Sequence, residues 1–406
     1  MSKHDGKHSA SKLKKNARPR AAAEEREIDW IREAETDAGD RAAAPKKTKT
    51  ILLTIFIVLA VLVILAEAAI LIFGHFYSKL NYERAVSESA RSAAGVTLLN
   101  EEEELPEGAE NATDEEVSGM QALIQEQLAR NGGSRMSDED VINILLIGTD
   151  ARTESEAARS DVMMLASLNK RTHKIILTSF MRDIYTYIPG YGYNRLNVPF
   201  SVGGATVGER AGLLIDTLEA DFGVSIDNYA VVNFYDFANI IDAIGGIDIP
   251  VTNAEVDQIN EQVFGEQAYL GIGEGTAWLD YTNGEVTHLN GSQALAHCRN
   301  RHSSGSDYDR TERQRTVISA VLEKAQTLSL SELYDLANVV LPMVTTDLSQ
   351  GDCLSLLLSS GEYLDYEVET LRIPAVDYTD AYINGMAVLS IDFASNAVIL
   401  QDAIYN

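Results

Sequence analysis

The stretch AHCRNRHSSGSDYDRTERQR, Ala296 to Arg315, gathers Arg299, Arg301, Arg310, Arg313 and Arg315 in a 406-residue chain whose formal net charge is -28. Grouped guanidiniums suit phosphate oxygens, which they meet with forked, charge-assisted hydrogen bonds. On a helix, Arg310 and Gln314 share a face, with Arg313 one step around. Ser306 and Asp309 have the capping-box spacing that would start such a helix, and its N-terminus would add N–H donors and a positive dipole end. Arg299 and Arg301 project to one side if their segment is extended, and the Gly305 loop would then fold both toward Arg310. The plainer alternative pairs these arginines with Asp307, Asp309 and Glu312, each exposed pair worth about 0–1 kcal/mol.

A second set lies upstream. Asp150 closes VINILLIGTD, and Asp161 stands with Arg159 in ARSDVMML just before the next apolar run. Mg²⁺ is commonly held by one or two carboxylates plus substrate phosphates, so the two aspartates suit that ion and Arg159 suits a phosphate oxygen. Turn-capping by both aspartates is the competing reading. SFMRDIYTYIPGYGYNRLN adds Arg182 and Asp183 at a strand end, then Arg195 and Asn197 beyond a Pro-Gly turn. Arg182 is a candidate phosphate clamp and Asp183 a candidate proton acceptor, unless Arg182 merely pairs with an aspartate of the same loop layer. His297, Cys298 and His302 match no standard zinc spacing. Cys298 and Cys353, the only cysteines, fit neither a disulfide framework nor a CxxC site.

These groups need a rigid frame. VINILLIGTD reads as a buried strand feeding a polar loop. VMMLASL and KIILTSF are joined by NKRTHK, too short for a parallel crossover, so they pair antiparallel. A helix over ERAGLLIDTLEADFG, a strand at YAVVNF, a helix over YDFANIIDAIGG and a strand at IDIPV follow. This alternation predicts an α/β fold, a layered α-β-α domain with a mixed central sheet. The core spans 141–328, and residues 329–406 complete it with helices, the strand EVETLRIPAV and the segment SNAVILQDAIYN.

Ile51–Phe76 exceeds the roughly 20 apolar residues that span a bilayer. It starts too late and runs too long for a signal-peptide core, so it reads as a retained transmembrane helix with one charge, Glu67. Lys46, Lys47 and Lys49 abut its N-terminal end, which predicts a cytoplasmic N-terminus and an external C-terminal domain. Residues 1–50 lack hydrophobic periodicity and read as a disordered cytoplasmic segment. Residues 77–140 read as a stalk, with a short helix over YSKLNYERAVSESARSAAG and an acidic linker NEEEELPEGAENATDEEVSG. With 33 Lys and Arg against 61 Asp and Glu, nonspecific nucleic-acid binding is disfavoured, and no nucleic acid is expected as a partner.

Taken in order, NILLIGTDAR, RSDVMML, MRDIYTYIPG, RLN, DNYAVVNF, IDAIGGIDIPV, LNGSQALAHCRNR and SDYDRTERQR make the chain resemble the LytR-CpsA-Psr family of cell-envelope proteins, from Val141 to about Leu328. The resemblance implies a membrane-anchored phosphotransferase. Its donor would be an undecaprenyl-pyrophosphate-linked glycopolymer of teichoic acid or capsule type, its acceptor a muramic-acid hydroxyl of peptidoglycan, and its product a phosphodiester. Asp150 and Asp161 match the family's magnesium aspartates. Arg159, Arg182, Arg299, Arg301, Arg310 and Gln314 match its pyrophosphate-contacting positions, and Asp307 an acidic position beside them. Asp183 matches the aspartate of an Arg-Asp motif, so Asp183, Arg182, Arg299 and Arg301 form the expected catalytic set. Arg195, also expected at the pyrophosphate, stands where the family often has Lys, and His297 and Cys298 replace usual aromatic and aliphatic residues. The resemblance further implies an apolar tunnel for the polyprenyl tail. A noncatalytic scaffold for lipid-linked intermediates and a polyprenyl-pyrophosphate hydrolase stay open as alternatives. A transcription regulator is opposed by the membrane span and the acidic charge.

Overall fold

The computed structural model describes residues 46–86, 105, 108–131, 135–151, 158–265, 271, 275–300, 307–363 and 365–406. Most of the expected disordered segment, and Arg301 with its flanking loop, lie outside them. Two compact units divide at Leu71 and Ile72. Helix α1 (Lys46–Tyr77) contains Phe56–Tyr77, the one helix among the described residues long and apolar enough to cross a membrane.

The second unit carries the folded domain. Strand β1 (Asn81–Tyr82) and helix α2 (Asp114–Asn131) precede β2 (Val141–Thr149), β3 (Ser160–Asn169) and β4 (Lys174–Phe180). A hairpin of β5 (Tyr185–Ile188) and β6 (Gly192–Arg195), a helical turn α3 (Pro199–Val202) and α4 (Val207–Phe222) lead to β7 (Asn228–Asn233). Then come α5 (Phe234–Ala243), β8 (Ile247–Pro250), α6 (Asn253–Phe264), β9 (Val286–Leu289), α7 (Gly291–Arg299), α8 (Asp307–Gln326) and α9 (Leu330–Val340). The domain closes with β10 (Thr345–Thr346), α10 (Gln350–Tyr363), β11 (Glu367–Ile373), β12 (Tyr378–Ile383), β13 (Met386–Ile391) and α11 (Phe393–Tyr405).

The main sheet runs β1-β10-β7-β2-β3-β4-β11. Strands β2, β3 and β4 pair antiparallel as the short NKRTHK turn requires, whereas β7 on β2 and β11 on β4 are parallel, so the sheet is mixed. IDIPV forms β8 as expected, but it pairs with β9 in a separate two-stranded ribbon. Along β2 burial alternates rather than being continuous. Leu145 and Ile147 pack with Met163 and Leu165 against α4 (Leu214, Leu218, Phe222) and α11 (Leu400, Ile404). On the opposite side Ile241, Ile259, Ala294 and Val317 hold α5, α6, α7 and α8 together. Capping boxes at Thr206–Glu209, Thr252–Glu255 and Asn290–Gln293 start α4, α6 and α7.

The expected stalk differs. Asn81–Tyr82, placed by sequence in a short helix, is a sheet edge strand parallel to β10. Glu83 accepts from the Gly208 N–H at 2.9 Å and its carbonyl accepts from the Tyr229 hydroxyl. Side chains at Gly208 and Gly212 would collide with the Arg84 and Val86 carbonyls, so glycine there lets the segment lie directly on α4. Helix α2, inside the supposed linker, buries Ile124 in the main core. An acidic composition marked these residues as solvated, but a few apolar contacts dock them.

Candidate active site

The sheet positions the paired aspartates through an irregularity. Gly148 pairs with Val162 and Thr149 with Ser160, so Asp161 is the extra residue of a β-bulge, a device that re-aims a side chain. A Cβ on Gly148 would lie 2.9 Å from the Val162 Cβ, so the close approach that shapes the bulge needs glycine. Asp150 accepts from the Arg159 N–H at 3.3 Å. Burial pushes the Asp150 carboxyl above its ordinary value, and the negative charge of Asp161 pushes it further. Two carboxylates that feel each other in a partly desolvated place would be relieved by a cation. Among the described residues no cluster of three or more His, Cys, Asp or Glu side chains could hold a metal ion. A pair of carboxylates is the donor set of an ion that completes its shell with waters and substrate phosphates.

Arg182 follows β4 and reaches back to this pair, its guanidinium 3.0 Å from Asp161 Oδ1 and 3.5 Å from Asp183 Oδ2. Asp183 also meets Arg195 at 3.5 Å, and Arg195 comes from β6. The plainer reading of Arg182, pairing with nearby aspartates, is thus present in the structure, and one partner is a candidate metal ligand. Asn197 ties the layer together: its N–H donates to the Arg182 carbonyl at 3.2 Å, and its own carbonyl accepts from the Ser160 N–H at 3.4 Å.

The arginines of the opening stretch divide. Helix α7 ends on Arg299, so this residue closes a helix instead of lying in the extended segment expected, and its guanidinium sits 5.1 Å from the Phe234 ring centroid. Arg310 and Gln314, one turn apart on α8, are both buried. Asp161, Arg299, Arg310 and Gln314 line one cavity of about 520 Å³ with Leu146, Val162, Met164, Val232, Phe237, Leu295 and Ile318. Arg313 turns away: it donates to the Asn300 carbonyl and lies 3.8 Å from Glu255. It braces the junction of α6, α7 and α8 through Glu255, a partner distant in sequence from the Asp307, Asp309 and Glu312 of the plainer reading. Arg159, Arg182, Asp183 and Arg195 adjoin the aspartate pair and do not line that cavity.

His297 and Cys298 are both buried. Burial pulls the imidazole of His297 down to about 4, the Arg313 charge adds to this and Glu255 opposes it. Burial pushes the Cys298 thiol up to about 12, and both cysteines are free. Sequence reasoning missed Phe234, which packs under Arg299, Asn233, which caps α5 and lines the cavity, and Arg210, whose guanidinium donates to the Gly204 and Ala205 carbonyls at 3.2 Å beside a small second cavity. Only the aromatic-rich NFYDF run hinted at the first two.

A cavity between sheet and helices, apolar along the sheet and lined by arginines from two helix termini, defines an α/β domain built for an amphiphilic anion. The chain belongs to the LytR_cpsA_psr family, whose model matches residues 106–403. It is 33% identical over 253 residues to the polyisoprenyl-teichoic acid–peptidoglycan teichoic acid transferase TagU of Oceanobacillus iheyensis, covering 61% of this chain and 71% of that one. The TagU of Bacillus anthracis is 30% identical over 257 residues, covering 63% and 76%. Among solved structures the fold is similar to B. subtilis TagT (TM-score 0.51, 22% identity, 66% and 94% covered) and to protein gbs0355 of Streptococcus agalactiae (TM-score 0.53, 24% identity, 65% and 86% covered).

Proposed function

We propose that this protein is a membrane-anchored phosphotransferase that moves a glycopolymer from an undecaprenyl-pyrophosphate carrier to peptidoglycan, its α1 helix crossing the membrane with the N-terminus cytoplasmic and the domain outside. The observation that carries the reading is one cavity combining an apolar sheet face with Arg299, Arg310, Gln314 and Asp161. Its amphiphilic lining matches a lipid pyrophosphate, with the polyprenyl tail against Leu146, Met164 and Leu295. The names of the TagU relatives supply the polymer class and the acceptor.

Phosphoryl transfer is catalysed mainly by positioning and by stabilising spread negative charge. Arg299 and Arg310 hold the pyrophosphate oxygens, and Gln314 orients them from the same face of α8. A muramic-acid hydroxyl attacks the sugar-proximal phosphorus; a new P–O bond forms, the bond to the bridging oxygen breaks, and lipid monophosphate leaves against the arginines. Asp150 and Asp161 would hold Mg²⁺, which supplies charge neutralisation on the phosphates when bound. Arg182 keeps Asp161 oriented, Arg159 faces the same loop, and Arg195 fixes Asp183, assigned here as acceptor of the hydroxyl proton. Arg301 is assigned to the same phosphates by its place in the family motif.

The test supplies the full-length protein in nanodiscs with a synthetic lipid-pyrophosphate glycan, Mg²⁺ and a peptidoglycan oligomer, comparing wild type with Arg299→Ala. Expected is a glycan-phosphate-peptidoglycan product with lipid monophosphate in wild type, and a loss of about a hundred- to a thousandfold in the variant. Unchanged coupling in the variant overturns the arginine assignment, and lipid monophosphate with free glycan phosphate but no coupled product makes the protein a hydrolase.

A further inference from the structure

Helix α10 carries a stripe of leucines that the domain does not cover. Leu354, Leu357 and Leu358 are 39%, 58% and 78% exposed, and their spacing puts them on one helix face. The opposite face is satisfied by protein: Cys353, Leu356 and Ser359 are half-buried and Tyr363 is buried. From Cys353 to Gly361 the helix bears no charge, although the chain is strongly acidic. A nine-residue uncharged segment with exposed leucines needs an apolar neighbour.

The surroundings identify that neighbour. Helix α10 begins where α1 ends. The Tyr77 hydroxyl donates to the Leu348 carbonyl at 3.2 Å, and Gln350 Nε2 lies 4.0 Å from where a Cβ on Gly74 would stand. Phe76 meets Tyr334 of α9 edge-on with ring centroids 4.9 Å apart, and Leu333 beside it is exposed. At 1.5 Å per residue, Leu357 stands about 10 Å along α10 from Gln350. The helix that carries the leucine stripe thus starts against the end of the segment that meets the length and apolarity of a membrane span.

We propose that α10 lies in the bilayer interface beside the end of α1, with Leu354, Leu357 and Leu358 immersed among acyl chains and the exposed Ser355 and Ser360 at headgroup level. Because α10 has no lysine or arginine, the attachment is apolar rather than electrostatic and insensitive to salt. The proposal rests on α1 as a membrane span, independently of which reaction the domain performs.

The test places Leu358→Trp, and separately Leu357→Trp, in full-length protein in which Trp30 and Trp278 are replaced by Phe, reconstituted in vesicles with and without brominated phosphatidylcholine. Expected are blue-shifted emission, several-fold stronger quenching by bromine than for free tryptophan, and protection from acrylamide, unchanged in high salt. Val63→Trp reports the span in the same preparation. Strong acrylamide quenching and no bromine quenching at both 357 and 358, with Val63→Trp quenched by bromine, overturns the interfacial helix alone. Water at all three positions removes the span and the proposal with it. Acrylamide protection without bromine quenching, lost on dilution of the protein in lipid, assigns the stripe to a second copy and also overturns it.

Discussion

Acidification should loosen the helix junction that carries Arg299, and His297→Phe should abolish that response. His297 is 2% exposed two residues before Arg299, and its imidazole titrates at about 4 instead of 6.5 because burial penalises the cation and Arg313 adds like charge. A depressed pKa stabilises the fold above the unfolded value and loses that contribution as pH falls toward the folded one. The gap corresponds to about 3 kcal/mol at about 1.36 kcal/mol per pH unit, of which about 2 kcal/mol is lost between pH 7 and pH 5. Asp150 and the buried Glu219 and Asp221, whose carboxyls desolvation raises, respond in the opposite direction, so the difference between proteins is the quantity to read. His297 Nδ1 has no hydrogen-bond partner, so phenylalanine removes no hydrogen bond at that atom. Urea unfolding of the detergent-solubilised full-length protein, followed by Trp278 fluorescence at pH 7 and pH 5, should show wild type losing about 2 kcal/mol more than His297→Phe. Equal losses in the two proteins would refute the assignment of this acid sensitivity to His297.

Three further outcomes follow from the site. Asp161→Asn, which removes the charge facing Asp150 and a partner of Arg182, should raise the Mg²⁺ concentration for half-maximal transfer by about 10- to 100-fold; an unchanged Mg²⁺ titration counts against the aspartate pair. Leu295→Trp narrows the cavity and should suppress coupling from long-tailed donors while sparing short-tailed ones, read by comparing donors of different prenyl length; equal suppression places the tail elsewhere. Gly148→Val sets side-chain atoms against Val162 and should cost about 1–3 kcal/mol in denaturant unfolding, with a fall in donor binding because the bulge shifts; wild-type stability would mean the bulge yields freely.

Legibility in the sequence followed distance along the chain. The antiparallel β2-β3-β4 unit was readable because a six-residue turn permits no other connection, and Arg310 with Gln314 because helical spacing is local. The bulge at Asp161 was not readable, since it depends on register across a pair of strands. An aspartate partner for Arg182 was readable only as an unnamed alternative, and the bridge from Arg195 to Asp183 was not, because several loops converge on one sheet end. Composition misled at Asn81–Val86 and in α2, where acidic and polar residues conceal docked backbone and one buried isoleucine. The cavity was hidden because Leu146, Met164 and Val232 alternate like any core-facing residues, and nothing local tells an apolar face that meets a helix from one that meets a void.

Strand β1 begins four residues after α1 ends and is already an edge of the sheet that carries the site. At no more than about 3.6 Å per residue, that connection spans at most about 14 Å. On the proposed reading of α1 as a membrane anchor, so short a connection would keep the domain near the bilayer, like a tool on a short post rather than a long leash. On the proposed function, carrier lipids arriving laterally would meet it at their own headgroup level, whereas wall strands would have to come down to it. Glycan chains in the membrane-facing layer of the wall would then receive polymer first, and deeper strands would be reached only while they still lay beside the bilayer.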